Sequence, residues 1–116
     1  MEDCIFCKIV KGEIPSNKIY EDEHLLAFHD ISPQAPVHVL IVPKPHYEDL
    51  YLMAGKDEGR KALNKVMEAL PLIVREAGLS EEGFRLINNC GKNAGQTVMH
   101  VHFHLIGGVA LGPKIL

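Results

Sequence analysis

The sequence predicts an α+β fold, and three stretches carry that prediction. Residues 99–106, Met-His-Val-His-Phe-His-Leu-Ile, alternate imidazole and apolar side chains, which is the period of a β-strand. Val37 to Val42 is the most β-prone run of the chain and reads as a buried central strand. Between Lys56 and Ala77, Leu63, Val66, Met67, Leu70, Ile73, Val74 and Ala77 recur at helical spacing.

Composition narrows the function classes. A chain of 116 residues is expected to form one domain, residues 1–116, with a single modest core. Its net charge is -3 with no basic stripe, which argues against a nucleic-acid partner. No basic start leads into an apolar run, so no signal peptide is expected. No stretch reaches the length of a membrane span, so no membrane partner is expected either. Three cysteines, an odd number, argue against a disulfide framework and for a reducing, cytoplasmic setting.

The elements follow in order. Asp3 is placed to cap a short helix over Cys4 to Lys11, stopped by Gly12. Pro15 turns the chain. Lys18 to Glu21 and His24 to His29 read as a hairpin around a polar turn, with His24 a solvated surface residue. Asp30 to Pro36 is a loop fixed by Pro33 and Pro36, and Pro43 and Pro45 end the strand at Val42. A short helical connection over Glu48 to Ala54 precedes the long helix, which should stop at Gly78 and kink at Pro71. Gly83 to Asn89 is a further strand, Cys90 an inert thiol, and Gly91 to Thr97 a glycine-containing loop feeding the histidine strand.

The histidine strand is where chemistry concentrates. Val101, Phe103 and Leu105 would enter the core, while His100, His102 and His104 would share the other face, about 6.6 to 7 Å apart. Three imidazoles on one face are costly as filler, because polar groups shielded from water need partners. His38 interrupts the neighbouring central strand, where it reads either as a satisfied core residue or as a fourth imidazole beside the three. Cys4 and Cys7 lie on one side of a helical turn. They read as a metal pair or as two buried thiols; a redox motif would need a preceding strand. His46 follows a rigid exit, a suitable place for a ligand or a solvated loop residue. Asp30 could accept hydrogen bonds from ribose hydroxyls, with Phe28 and Ile31 covering a base, or it could simply pin its loop. Gln96 and Thr97 add neutral donors that suit a phosphate gaining charge during reaction.

These residues together resemble a known family. His100-Val101-His102-Phe103-His104-Leu105-Ile106 matches the histidine triad (HIT) signature, His-φ-His-φ-His-φ-φ, with φ apolar. Cys4-Ile5-Phe6-Cys7, Gly12-Glu13-Ile14-Pro15, Tyr20-Glu21-Asp22, Ala27 to Pro36, Val42-Pro43-Lys44, Asn89 and Gly95-Gln96-Thr97-Val98 are similar, in the same order, to its nucleotide-binding branch. The resemblance implies a HIT-like α+β fold, with a short N-terminal helix, one long helix and an antiparallel sheet continued across a homodimer. It implies hydrolysis of purine nucleoside phosphoramidates at the α-phosphate. His102 would be the nucleophile, passing through a nucleotidyl-histidine, with its tautomer held by a backbone carbonyl. His104 and His38 would contact phosphate oxygens and handle protons.

The same resemblance places Gln96 and Thr97 at the phosphate and leaving group, with threonine standing where the family usually has serine. Asn89 would contact phosphate or ribose, and Asp30 the ribose. Phe28, His29, Ile31, Ile5, Phe6, Ile9 and Ile14 would line the purine pocket. Cys4, Cys7, His46 and His100 would hold a structural zinc ion, as in many bacterial relatives; four such ligands leave no open position. No organic cofactor is implied. The tail Gly107 to Leu116 lacks the tryptophan of many relatives, which leaves the leaving group open. Three other readings compete: a zinc hydrolase with a metal held by the triad, a dinucleoside polyphosphate hydrolase, and a non-catalytic nucleotide-binding or scaffold dimer.

Overall fold

In the computed structural model, which describes residues 3–115, the chain begins with α1 (Ile5–Val10), β1 (Lys18–Glu21), β2 (Leu25–His29) and β3 (Val37–Pro43). It continues with α2 (Leu50–Ala54), α3 (Asp57–Glu76), β4 (Phe84–Ile87) and β5 (Phe103–Gly107). A 3-10 turn over Lys92–Ala94 lies within the loop before β5. Leu116, the last residue of the tail, lies outside the described residues. The five strands form one sheet in the order β1-β2-β3-β5-β4, and each neighbouring pair is antiparallel. No helix among the described residues is long and apolar enough to cross a membrane.

Local chemistry explains the boundaries. The helix α1 starts one residue later than the sequence suggested: the N-cap is Cys4, not Asp3, because the Cys4 thiol accepts the Cys7 N–H at 3.3 Å. The chain leaves α1 through Gly12, whose φ of 82° suits a residue without a Cβ. Asp22 makes the β1–β2 turn by accepting the N–H groups of His24 at 2.7 Å and Leu25 at 3.0 Å. Those bonds hold His24 in the turn, so β2 begins at Leu25. Helix α3 runs through Pro71 without a break. Proline removes one N–H, that toward the carbonyl of Met67, where the chain is exposed to water.

The expected strand over residues 99–106 is shortened to Phe103–Gly107. Ahead of it the backbone bonds elsewhere: Val101 N–H donates to the Tyr47 carbonyl at 2.9 Å, and the His102 carbonyl accepts from Asn88 Nδ2 at 2.9 Å. The alternation of faces survives this. Val101, Phe103 and Leu105 join a large core with Val39, Ile41, Met53, Val66 and Ile73, under α2 and α3. On the opposite face α1 covers a smaller core of Phe6, Ile9, Leu26, Phe28, Leu40 and Val42. β5 therefore lies between β3 and β4 with packed side chains on one face and imidazoles on the other.

Gly59 is where α2 and α3 meet most tightly, since a Cβ there would lie 1.8 Å from the Met53 carbonyl oxygen. Gly59→Ala should destabilise the protein by about 1–3 kcal/mol, as overpacking of a fixed backbone contact does. Urea unfolding that gives the same midpoint as the parent chain would contradict this packing.

Candidate active site and metal cluster

The site is built on the start of β3, on β5 and the segment entering it, and on the loops beside them. His102 is buried, with 6% exposure, and its Nδ1 lies 2.8 Å from the His100 carbonyl oxygen. A carbonyl only accepts, so Nδ1 carries the proton and Nε2 keeps a free lone pair. The Phe6 ring stands edge-on to His102 at a centroid distance of 5.0 Å and fixes its plane. His104 lies on the same face, 5.2 Å from His102 between ring centroids. His38 Nε2 lies 2.8 Å from His104 Nδ1, so the fourth imidazole does stand beside the three. The registers Leu40↔His104 and His38↔Ile106 bring them to the same end of the sheet. Asp30 Oδ1 accepts the Ser32 N–H at 2.8 Å, and Oδ2 lies 3.5 Å from His38 Nε2. Asn89 joins His38 and His104 in lining a recess of about 200 Å³.

The remaining expected residues divide. Phe6, Ile9 and Phe28 are packed into the smaller core, and Ile14 lies against it. Ile5 and His29 are exposed, and Ile31 is 98% exposed. The predicted purine pocket is thus a packed floor with an open rim. Thr97 is exposed and lines a recess of about 470 Å³ together with Cys4, Ile5 and His46. Gln96, expected beside a phosphate, is tied to its own surroundings in the resting chain. Its Nε2 donates to the Glu48 carbonyl at 2.7 Å and the Val98 carbonyl at 3.0 Å, while its Oε1 accepts the Gly91 N–H at 2.8 Å. Both amide hydrogens are committed, so Gln96 braces the loop.

Behind the triad, Cys4, Cys7, His46 and His100 place one ligand atom each within 4.8 Å of the others, close enough to hold a metal ion. His46 Nδ1 and His100 Nδ1 are 3.1 Å apart, and His100 Nδ1 lies 3.3 Å from Cys4 Sγ and 3.5 Å from Cys7 Sγ. Cys7 Sγ lies 3.2 Å from His46 Nδ1. The edges of a tetrahedral zinc site with nitrogen and sulfur ligands are about 3.4 to 3.8 Å, so small outward shifts would admit the ion. The donor set fits in a second way. His100 Nε2 donates to the Pro43 carbonyl at 2.7 Å, which leaves Nδ1 as the lone pair facing the thiols. Asn88 and the carbonyls of Pro43 and Tyr47 were not found by sequence reasoning. Asn88 adjoins the singled-out Asn89, but backbone acceptors leave no trace in residue type.

Residues 11–111 match the family model described as HIT domain. The chain belongs to the HIT domain family. It is 42% identical over 117 residues to the purine nucleoside phosphoramidase of Escherichia coli (strain K12), covering 98% of this chain and 94% of that protein. It is 43% identical over 107 residues to protein HitA of Neisseria gonorrhoeae, covering 92% and 97%. Among solved structures, a HIT family hydrolase from Clostridium thermocellum superposes with a TM-score of 0.94 at 48% identity, covering 100% of this chain and 99% of that one. A histidine triad protein from Clostridium difficile gives a TM-score of 0.91 at 45% identity, covering 98% and 97%. The protein is a HIT-family hydrolase.

Electrostatics within this HIT domain favour neutral rings. Burial, with the His102 and His38 imidazoles beside it, holds His104 below the ordinary imidazole value. Burial also lowers His100, against the Pro43 hydrogen bond that favours its charged form, and His46 and His102 lower it further. Burial and the neighbouring Cys4 thiol push the Cys7 thiol up to about 11. A metal ion taken up by this cluster would therefore displace protons from it.

A depressed folded value for His104 means that the unfolded chain binds the proton first as the pH falls through about 6.5. Stability is then complete above that pH and is lost as the pH falls through the lower folded value. Thermal melts between pH 8 and pH 5 should show this loss, with a shallower slope in His104→Asn. Equal slopes in the two proteins would contradict the assignment.

Proposed function

We propose that this HIT-family hydrolase cleaves purine nucleoside phosphoramidates at the α-phosphate through a covalent nucleotidyl-histidine on His102. The observation that carries the reading is the commitment of His102 Nδ1 to the His100 carbonyl, 2.8 Å away, which leaves Nε2 free to attack. The relative named purine nucleoside phosphoramidase supports the choice of substrate. In the first step a bond forms from Nε2 to phosphorus and the P–N bond to the amine breaks. The leaving nitrogen takes up a proton, and the amine departs. The His102 ring gains positive charge as its bond forms, and its Nδ1–H bond to the carbonyl strengthens accordingly. Water then attacks phosphorus, breaks the bond to Nε2, and releases the nucleoside monophosphate with the ring restored.

In this reading His104 faces phosphate oxygens with His38 behind it. Asp30 receives the ribose hydroxyls, Asn89 lies at the phosphate side, and Thr97 offers its hydroxyl to the leaving group. The base rests on the α1 side, over Phe6, Ile9, Ile14 and Phe28, with Ile5, His29 and Ile31 at the rim. Gln96 holds the loop that carries Thr97. Zinc would be held by Cys4, Cys7, His46 and His100, and its contribution when bound is structural. It ties α1 to the segment that carries the nucleophile. Homodimerisation through the edge strand β4, where Phe84 is 43% exposed, would continue the sheet.

His102→Ala should lower phosphoramidate turnover by at least about a thousandfold while keeping the fold, as loss of a nucleophile does. Rapid quenching of turnover with nucleotide labelled at phosphorus should leave label on wild-type protein and none on the variant. Retained turnover in the variant would overturn the reading. His46→Ala should instead lower zinc content, read by metal analysis, and lower the melting temperature. Zinc content equal to the parent protein's would remove His46 from the ligand set.

A further inference from the structure

The loop from Asp30 to Pro36 does more than offer a carboxylate. His38 and His104 share one hydrogen bond, with 2.8 Å between His38 Nε2 and His104 Nδ1. Two neutral imidazoles can make that bond in two ways. Either His38 donates from Nε2, or His104 donates from Nδ1. The two arrangements leave opposite ends of the pair bare. In the first, His104 carries its proton on Nε2 and offers a donor. In the second, His104 Nε2 is a lone pair, which would repel a phosphate oxygen.

We propose that the backbone N–H of Gln34 decides between them and acts as a positioning group for the reaction. It lies 3.0 Å from His38 Nδ1, and an amide N–H can only donate. His38 Nδ1 must then be the acceptor, so its proton sits on Nε2, and His104 must receive it at Nδ1. The Asp30 carboxylate, with Oδ2 3.5 Å from His38 Nε2, favours the same arrangement. Adjacent rings on one face thus present opposite polarity: His104 a donor, His102 a lone pair. A phosphate needs both, one at oxygen and one at phosphorus.

The same logic bears on metal. Asp30, His38 and His104 offer ligand atoms within 4.8 Å of one another. An ion on His38 Nε2 would require the proton to move to Nδ1, where it would face the Gln34 N–H. The loop therefore disfavours a metal ion at the catalytic face, unlike the cluster at Cys4, Cys7, His46 and His100, whose lone pairs converge.

The inference rests on the proposed reading that phosphate lies beside His102 and His104, but its test begins without substrate. Long-range 15N–1H spectra of the resting protein report which ring nitrogen carries each proton. His38 and His104 should both be protonated on Nε2, and His102 on Nδ1. Gln34→Ala should leave these signals in place, since its amide remains and its side chain reaches only the Ser32 carbonyl at 3.3 Å. Gln34→Pro, or an ester in place of the amide joining residues 33 and 34, removes the hydrogen. A second His38 tautomer should then appear. The kcat should fall about twofold, in step with the fraction of the second tautomer, with KM unchanged, because losing a hydrogen bond that biases the pair about tenfold leaves the two tautomers comparably populated. Protonation of His38 on Nδ1 in the parent protein would overturn the proposal, as would an ester variant with unchanged spectra and kcat. The expected tautomers in a protein that turns over no phosphoramidate would overturn the functional reading alone.

Discussion

His100 is the residue on which the arrangement depends. It is fully buried, and its ring and carbonyl each bind a different part of the molecule. Nε2 donates to the carbonyl of Pro43, at the end of β3. Nδ1 faces Cys4 and Cys7, at the start of α1, and His46, in the loop after β3. The carbonyl oxygen receives Nδ1–H of His102. A buried polar group left without a partner costs about 1–3 kcal/mol, so displacement of any one of these neighbours is opposed. The orientation of the His102 ring is thereby inherited from the packing of three separate segments.

Rigidity of this kind comes from placing the imidazoles on and just ahead of an inner strand of the sheet. β5 has a strand on either side, and one of its faces packs into the larger core. The loops that approach it are braced rather than free: Gln96 ties its loop to Glu48 and Gly91, and Asp30 ties its own to Ser32. Groups held by such contacts need little reorganisation when charge develops beside them.

Much of this was legible in residue type and spacing, and what was not has a common cause. The order of strands and helices along the chain and the alternating faces of residues 100–105 follow from side-chain patterns, while the convergence of Cys4, Cys7, His46 and His100 was implied only by the family resemblance. The sites of disagreement are places where backbone groups or local competition decide. Cys4 displaces Asp3 as the cap because a thiol already directed inward can accept the N–H of Cys7. β5 begins at Phe103 because Tyr47 and Asn88 take the backbone bonds that a longer ladder would use. The Gln34 N–H is invisible to any reading of side chains, since every residue but proline supplies one.

The alternation in residues 100–105 also limits how this stretch can change over time. Successive side chains point to opposite sides, so inserting or deleting one residue there would exchange the imidazoles with Val101, Phe103 and Leu105. Aliphatic carbon would then take the imidazoles' places and imidazole would enter the interior. Length variation in this stretch would exchange the two faces in a single step, whereas exchange among aliphatic residues at 101, 103 and 105 changes only the packing of the larger core. Descendants of this chain are free to vary those side chains, but not the count of residues between the first and last histidine.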